Sequence, residues 1–128
     1  MILLDTSAWI EYLRATGSEV NVRVRAALLD GGIAVTDPVV MEVLAGARSE
    51  EDLRRLSALL GRCAAQPCVS ADYRVAAEIR RACRVSGASV RNSLDCLIAA
   101  VAIRRGIPLL HADRDFETIA NHSALELA

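Results

Sequence analysis

Four acidic residues, Asp5, Glu42, Asp95 and Asp113, stand at points of this 128-residue chain where local structure explains them only in part. Asp5 closes the apolar run Ile2-Leu3-Leu4 and precedes Thr6 and Ser7, after which Trp9, Ile10 and Leu13 recur at helical spacing. Glu42 lies well inside the helical stretch VVMEVLAGA, too deep to serve as a cap. Asp95 sits in NSLDCLIAAVAI, and Asp113 follows the apolar segment PLLH within HADRDF, with Asp115 two residues on. Each has an ordinary reading. Asp5, Asp95, Asp113 and Asp115 suit helix caps or first turns, and Glu42 suits the edge of an apolar stripe, reaching to solvent. Their common address favours a second reading: Asp5 and Asp113 end strands, Asp95 begins a helix, and Glu42 rides a helix that leaves a strand end. In a parallel sheet these points share one rim, where ligands bind.

Carboxylates brought together there repel. Two unit charges roughly 5 Å apart cost about 3 kcal/mol at an effective dielectric of about 20. The sequence has no Lys, and all fifteen of its cations are Arg. The offset must therefore come from Arg, from protonation or from a divalent cation. An all-oxygen ligand set suits Mg²⁺ or Mn²⁺, which keep waters and bind phosphate oxygens. The chemistry that uses such a site is phosphodiester hydrolysis.

The elements that must deliver these acids follow from periodicity and punctuation. Strands are expected at 2–5, 33–36 and 108–111, a weak one at 67–69, and another at 125–127. Helices are expected over 7–14, 19–29 and 38–47, with Asp37 as cap and Pro38 at the first helical position of the third. A helix with a Ser49/Asp52 capping box follows, and Ser70 or Asp72 opens the next. Asn92 or Ser93 caps a helix ending at Gly106, and 114–120 forms a short one. Alternating short strands and amphipathic helices specify an α/β class, a single three-layer αβα sandwich spanning 1–128 around a parallel sheet of about five strands.

Composition bounds the remaining possibilities. Apolar residues make up 53% of the chain, so disorder is not expected, while aromatics at 3% exclude base stacking as the main binding device. A formal net charge of −1 argues against a general polyanion binder. Cys63, Cys68, Cys83 and Cys96 show no CxxC pairing and are expected as reduced, small core residues. No signal peptide is recognisable, and the longest apolar run, Cys96 to Ile103, is too short to span a bilayer, so a cytoplasmic protein without membrane contact is expected.

DTSAW, Glu42 in VVMEVLAGAR, Asp95 in SLDCLIAA and the segment HADRDF together resemble the PIN-domain nucleases. The small size and the DTS start are similar to the VapC toxins of VapBC toxin–antitoxin pairs. The resemblance runs from Ile2 to about Ala120. It implies a five-stranded parallel sheet and a Mg²⁺-dependent endoribonuclease, with Mn²⁺ as a possible substitute, that cuts structured RNA of the tRNA or rRNA class and arrests translation. It also implies a homodimer silenced by a VapB-type antitoxin. Carried over by residue, it makes Asp5, Asp95 and Asp113 metal ligands and gives Glu42 the holding or activation of a water. Thr6 or Ser7 would support them by hydrogen bonding, and Asp115 would share the metal with Asp113. His111 departs from the Thr or Ser that many members carry; backbone pairing is expected for it, and His122 is assigned to the surface.

RNA contact falls to Arg14, Arg91 and Arg114 near strand-to-helix corners, while Arg80, Arg81, Arg104 and Arg105 are expected on solvated faces or helix ends. Alternatives remain: a housekeeping RNA-processing nuclease, a receiver-like phosphoacceptor (which would need a Lys), or a partner-binding module whose acids are idle.

Overall fold

Three aliphatic residues make the central strand β1 (Ile2–Leu4), and its place in the sheet decides where Asp5 emerges. The computed structural model describes residues 1–128. After β1 come α1 (Thr6–Leu13), α2 (Glu19–Asp30), β2 (Ile33–Val35), α3 (Asp37–Ala45) and α4 (Glu50–Gly61). The chain continues through β3 (Ala64–Ala65), α5 (Ser70–Val85), α6 (Ser93–Arg105), β4 (Leu109–Leu110) and α7 (Asp115–Asn121).

The four strands are parallel in the order β3-β2-β1-β4, flanked by helices. Leu3 is paired with Ala34 on one side and Leu109 on the other, so β1 separates the strands laid down early from the one laid down last. The order of strands reverses there, and a crevice opens at their carboxyl ends.

The core is aliphatic, as the composition requires. It includes Leu3, Leu4, Val39, Ile98 and Leu109, each fully covered, with Trp9 and Phe116 as its large aromatics. Helix α6 is buried almost all round, from Asp95 through Ala102, which is why its sequence shows little amphipathic alternation. Left-handed Gly31 and Gly106 end α2 and α6, where a side chain would be strained.

Several details differ from expectation. The sheet has four strands: residues 125–127 contribute only one bridge, Leu127 beside Leu109. The third strand is Ala64–Ala65, and 67–69 is not a strand because side chains claim its backbone. There, the Pro67 carbonyl accepts from Arg104, the Cys68 N–H donates to Asp37 and the Val69 N–H donates to Asp72. The bond from Cys68 also explains why Asp37 does not cap α3. Thr36 holds the cap position without a side-chain bond, and Pro38 falls in the first turn. The Ser49 cap of α4 is formed as expected, and the Asp52 carboxylate accepts from the Arg48 N–H. All four cysteines are free thiols, Cys83 and Cys96 buried, Cys63 and Cys68 only half-buried. His122 is half-buried too, its Nδ1 2.9 Å from the Thr118 carbonyl.

Arg104 does more than decorate a helix end. Its Nε and a terminal nitrogen donate to the two oxygens of Asp72 at 2.7 and 3.0 Å, tying α6 to the start of α5. Burial pushes the Asp72 carboxyl up, but the Arg104 bonds and the Val69 N–H outweigh it and hold it below the usual range. Removing the guanidinium would leave a buried charge with only the Val69 N–H. Arg104→Met is therefore expected to lower unfolding free energy by about 2–3 kcal/mol, somewhat under the range for fully buried pairs. Urea titration at neutral pH checks this. Because the Asp72 pKa is depressed, the loss should shrink as pH falls through the folded and unfolded carboxyl values and both forms become protonated.

Candidate metal centre

Asp5 leaves β1 and becomes the N-cap of α1. Its Oδ2 accepts from the Ser7 N–H at 2.9 Å and from the Ser7 hydroxyl at 2.6 Å. The same Ser7 oxygen accepts the Ala112 N–H at 2.9 Å, so one hydroxyl links the ends of β1 and β4. The ordinary capping role and the site role thus coexist in one residue. Only 4% of Asp5 is exposed.

The other acids arrive from three further elements. Glu42, half-buried on α3, accepts a hydrogen bond from Thr6 Oγ1 at 2.8 Å. Asp95 lies in the first turn of α6 after Asn92, whose side chain caps that helix by accepting from the Leu94 N–H. Asp113 follows β4, and its Oδ1 accepts from the Asp115 N–H at 3.0 Å, which turns the chain into α7. Asp5, Glu42, Asp95, Asp113 and Asp115 line one cavity of about 350 Å³, together with Thr6, Ser7, Ile10, Arg91 and Asn92. The four acids picked out in the sequence are therefore gathered, and Asp115 joins them.

Within that cavity, Asp95, Asp113 and Asp115 each present a carboxylate oxygen, all within 4.8 Å of one another. This is a donor set of hard oxygens at a spacing that suits a divalent cation. Asp95 has 8% of its surface exposed, and its carboxylate accepts no protein hydrogen bond. Burial first, and then the negative charges of Asp5, Asp113, Asp115 and Glu42, push its carboxyl up to about 7. Burial also raises Asp5, while the Ser7 bonds pull it part of the way back.

Arg91 is the one cation of the cavity lining. A terminal nitrogen donates to Asp113 Oδ1 at 3.0 Å, and Nε and the backbone N–H both donate to Asp115 Oδ2, at 3.1 and 3.2 Å. Sequence reasoning placed Arg91 near a corner for RNA contact but did not find this grip, which depends on how the 87–92 loop folds over α7. Asn92, whose sequence position marks it as a helix cap, lines the cavity as well. His111 pairs with backbone as expected: its Nδ1 accepts from the Asp113 N–H at 3.1 Å, and its ring packs on Phe116. Arg114 lines neither this cavity nor the larger groove beside it, which does contain Arg14.

Comparison with known proteins agrees with this layout. The PIN domain profile matches residues 2–122. The chain belongs to the PIN-domain family. It is 45% identical to the VapC ribonuclease Mb1587 of Mycobacterium bovis and to ribonuclease VapC11 of Mycobacterium tuberculosis, over all of this chain and 98% of each relative. Its fold matches the Rickettsia felis VapBC2 complex bound to a promoter DNA fragment, with a TM-score of 0.79 and 20% identity over 100% of this chain and 98% of that one. It also matches VapBC-5 of Mycobacterium tuberculosis, with a TM-score of 0.68 and 25% identity over 98% and 95% of the two chains. PIN nucleases are metal-dependent hydrolases, and the oxygen set described here fits that class.

The raised Asp95 carboxyl carries a stability cost of known sign. A carboxyl whose folded pKa is about 7 binds its proton more tightly folded than unfolded, so stability falls as pH climbs from the ordinary carboxyl range through 7. In chelator at pH 8, Asp95→Asn is expected to raise Tm by several degrees, roughly what 1 kcal/mol gives a domain of this size. An added divalent cation should raise the Tm of the original protein and leave that of Asp95→Asn unmoved. Thermal melts at pH 5 and pH 8, with and without metal, read both effects.

Proposed function

We propose that this chain is a Mg²⁺-dependent endoribonuclease and the toxin of a toxin–antitoxin pair, acting on structured RNA of the tRNA or rRNA class and so arresting translation. The observation that carries the reading is the convergence of five carboxylates from four separate parts of the chain on one small cavity with a single guanidinium. Without a cation the arrangement is a burden, and with one it is a phosphoryl-transfer site. Names of the relatives, VapC ribonucleases at 45% identity over the whole chain, supply the nucleic acid class.

In this reading Asp5, Asp95 and Asp113 hold the cation, directly or through water, and Asp115 shares the load. A bound Mg²⁺ polarises a phosphoryl oxygen and lowers the pKa of a water near it. Glu42, steadied by Thr6, faces the same space and accepts a proton from the attacking water. Ser7 keeps Asp5 pointed inward and locks the rim to β4. Arg91, the one cation of the lining, lies at the edge of the cavity against Asp113 and Asp115.

The antitoxin has a natural seat. A groove of about 1570 Å³ runs beside the cavity and shares Thr6, Ile10 and Glu42 with it. Its walls mix apolar Leu13, Val43 and Leu56 with Arg14, Arg48 and Arg62, a lining suited to an amphipathic segment of a VapB-type partner. VapB partners accompany the toxins in the neighbouring structures. No helix is long and apolar enough to cross a membrane. We assign the protein to the cytoplasm as a homodimer, and light scattering reads the second point.

Purified protein freed of antitoxin should cleave tRNA or rRNA in Mg²⁺ or Mn²⁺ and not in chelator. Asp5→Asn and Asp95→Asn should each lose about 100-fold or more of the rate while keeping a native circular dichroism spectrum. Protein that binds metal yet cuts no cellular RNA with either ion would overturn the assignment.

A further inference from the structure

Arg91 holds oxygens of two of the three carboxylates that lie close enough to share a divalent ion. The two partners differ in freedom. Asp113 and Asp115 are anchored: Asp115 belongs to α7, and Asp113 is pinned by the Asp115 N–H at its Oδ1 and by its own N–H to His111. The Arg91 side chain is 74% exposed and springs from a loop, so it can swing away at little cost. A guanidinium cannot shed its charge, so it cannot remain beside these carboxylates and a dication without repulsion.

Building on the nuclease reading above, we propose that the Arg91 guanidinium and the divalent ion compete for Asp113 and Asp115, so that metal binding releases Arg91 to grip the RNA backbone. In the metal-free protein Arg91 is an internal counter-ion that keeps two of the acids from repelling each other. Once the dication takes over that role, the freed fork sits on the rim, within reach of a phosphate that would bridge it and the metal site. Metal loading and RNA binding thus become linked through one side chain. The backbone bond from the Arg91 N–H to Asp115 survives side-chain truncation, so the loop keeps its anchor in the variants.

A merely structural Arg91 would predict the opposite sign, because removing it would loosen the two acids and weaken metal binding. The test measures Mn²⁺ affinity by calorimetry and by electron paramagnetic resonance for the original protein, Arg91→Ala and Arg91→Gln. It also measures affinity for an uncleavable 2′-O-methyl oligoribonucleotide with Mn²⁺ and in chelator. Truncation should tighten Mn²⁺ at least fivefold. Mn²⁺ should strengthen RNA binding by the original protein and do so several-fold less in Arg91→Ala. Unchanged or weaker Mn²⁺ affinity in both variants, with normal binding by the original protein, overturns the competition alone. An original protein that takes up no Mn²⁺ would instead overturn the nuclease reading together with it.

Discussion

Repulsion among carboxylates that cannot move apart is the constraint on which the rest of this structure turns. Asp5 is fixed because its N–H donates to the Leu110 carbonyl and its side chain is held by Ser7. Asp95 is fixed because α6 is enclosed by the core from Cys96 to Ala102, leaving that helix no direction in which to retreat. Asp113 and Asp115 are fixed by the turn into α7. In water, mobile acids would separate and lose most of their interaction to the high dielectric. On rigid, partly covered elements they keep it.

A second buried carboxylate in the same molecule shows what an ordinary solution looks like. Asp72 is 1% exposed, yet Arg104 meets both of its oxygens and its pKa is lowered. Asp95 is almost as covered, its carboxylate has neither a protein cation nor a hydrogen-bond donor, and its pKa rises to about 7. The fold can evidently place an arginine against a buried acid, and at Asp95 it does not. Destabilised groups of this kind cluster where a ligand relieves them, which is what the proposed metal site at this cavity would do for Asp95. Arg91 relieves only the outer pair, Asp113 and Asp115.

The fold was legible in the sequence wherever periodicity had room to speak. Helices such as α4 and α5 show their apolar stripes, and α4 its Ser49 cap, while the cap position of α5 falls on Val69, whose N–H donates to Asp72. Ile2-Leu3-Leu4 is bounded by an acid that could not continue a buried strand. A two-residue strand such as Ala64–Ala65 has no period at all, and its neighbours 67–69 look more strand-like although Asp37, Asp72 and Arg104 take their backbone groups. Those are long-range bonds that spacing does not encode. The acids were legible for the reverse reason. Glu42 had no local explanation, and the others sat at strand and helix ends that a parallel sheet must bring to one edge. The bond from Thr6 to Glu42 and the fork of Arg91 across Asp113 and Asp115 depend on side-chain directions across the crevice, which no local pattern reports.

The sign of the cavity also orders the events at the proposed active site. RNA is a polyanion, and five carboxylates against the single guanidinium of Arg91 leave the cavity net negative, so in the proposed reaction the cation enters before the scissile phosphate or with it. A protein partner bearing a guanidinium is under no such requirement, because it carries its own counter-charge into the cavity. It could enter along the adjoining groove, whose apolar residues would hold it and whose shared Thr6 and Glu42 lead directly to the acids. Inhibitor and substrate would then differ in kind: the first replaces the metal's charge and the second depends on it. A rise in metal concentration should consequently favour the substrate at the inhibitor's expense, which follows from electrostatics whatever the RNA proves to be.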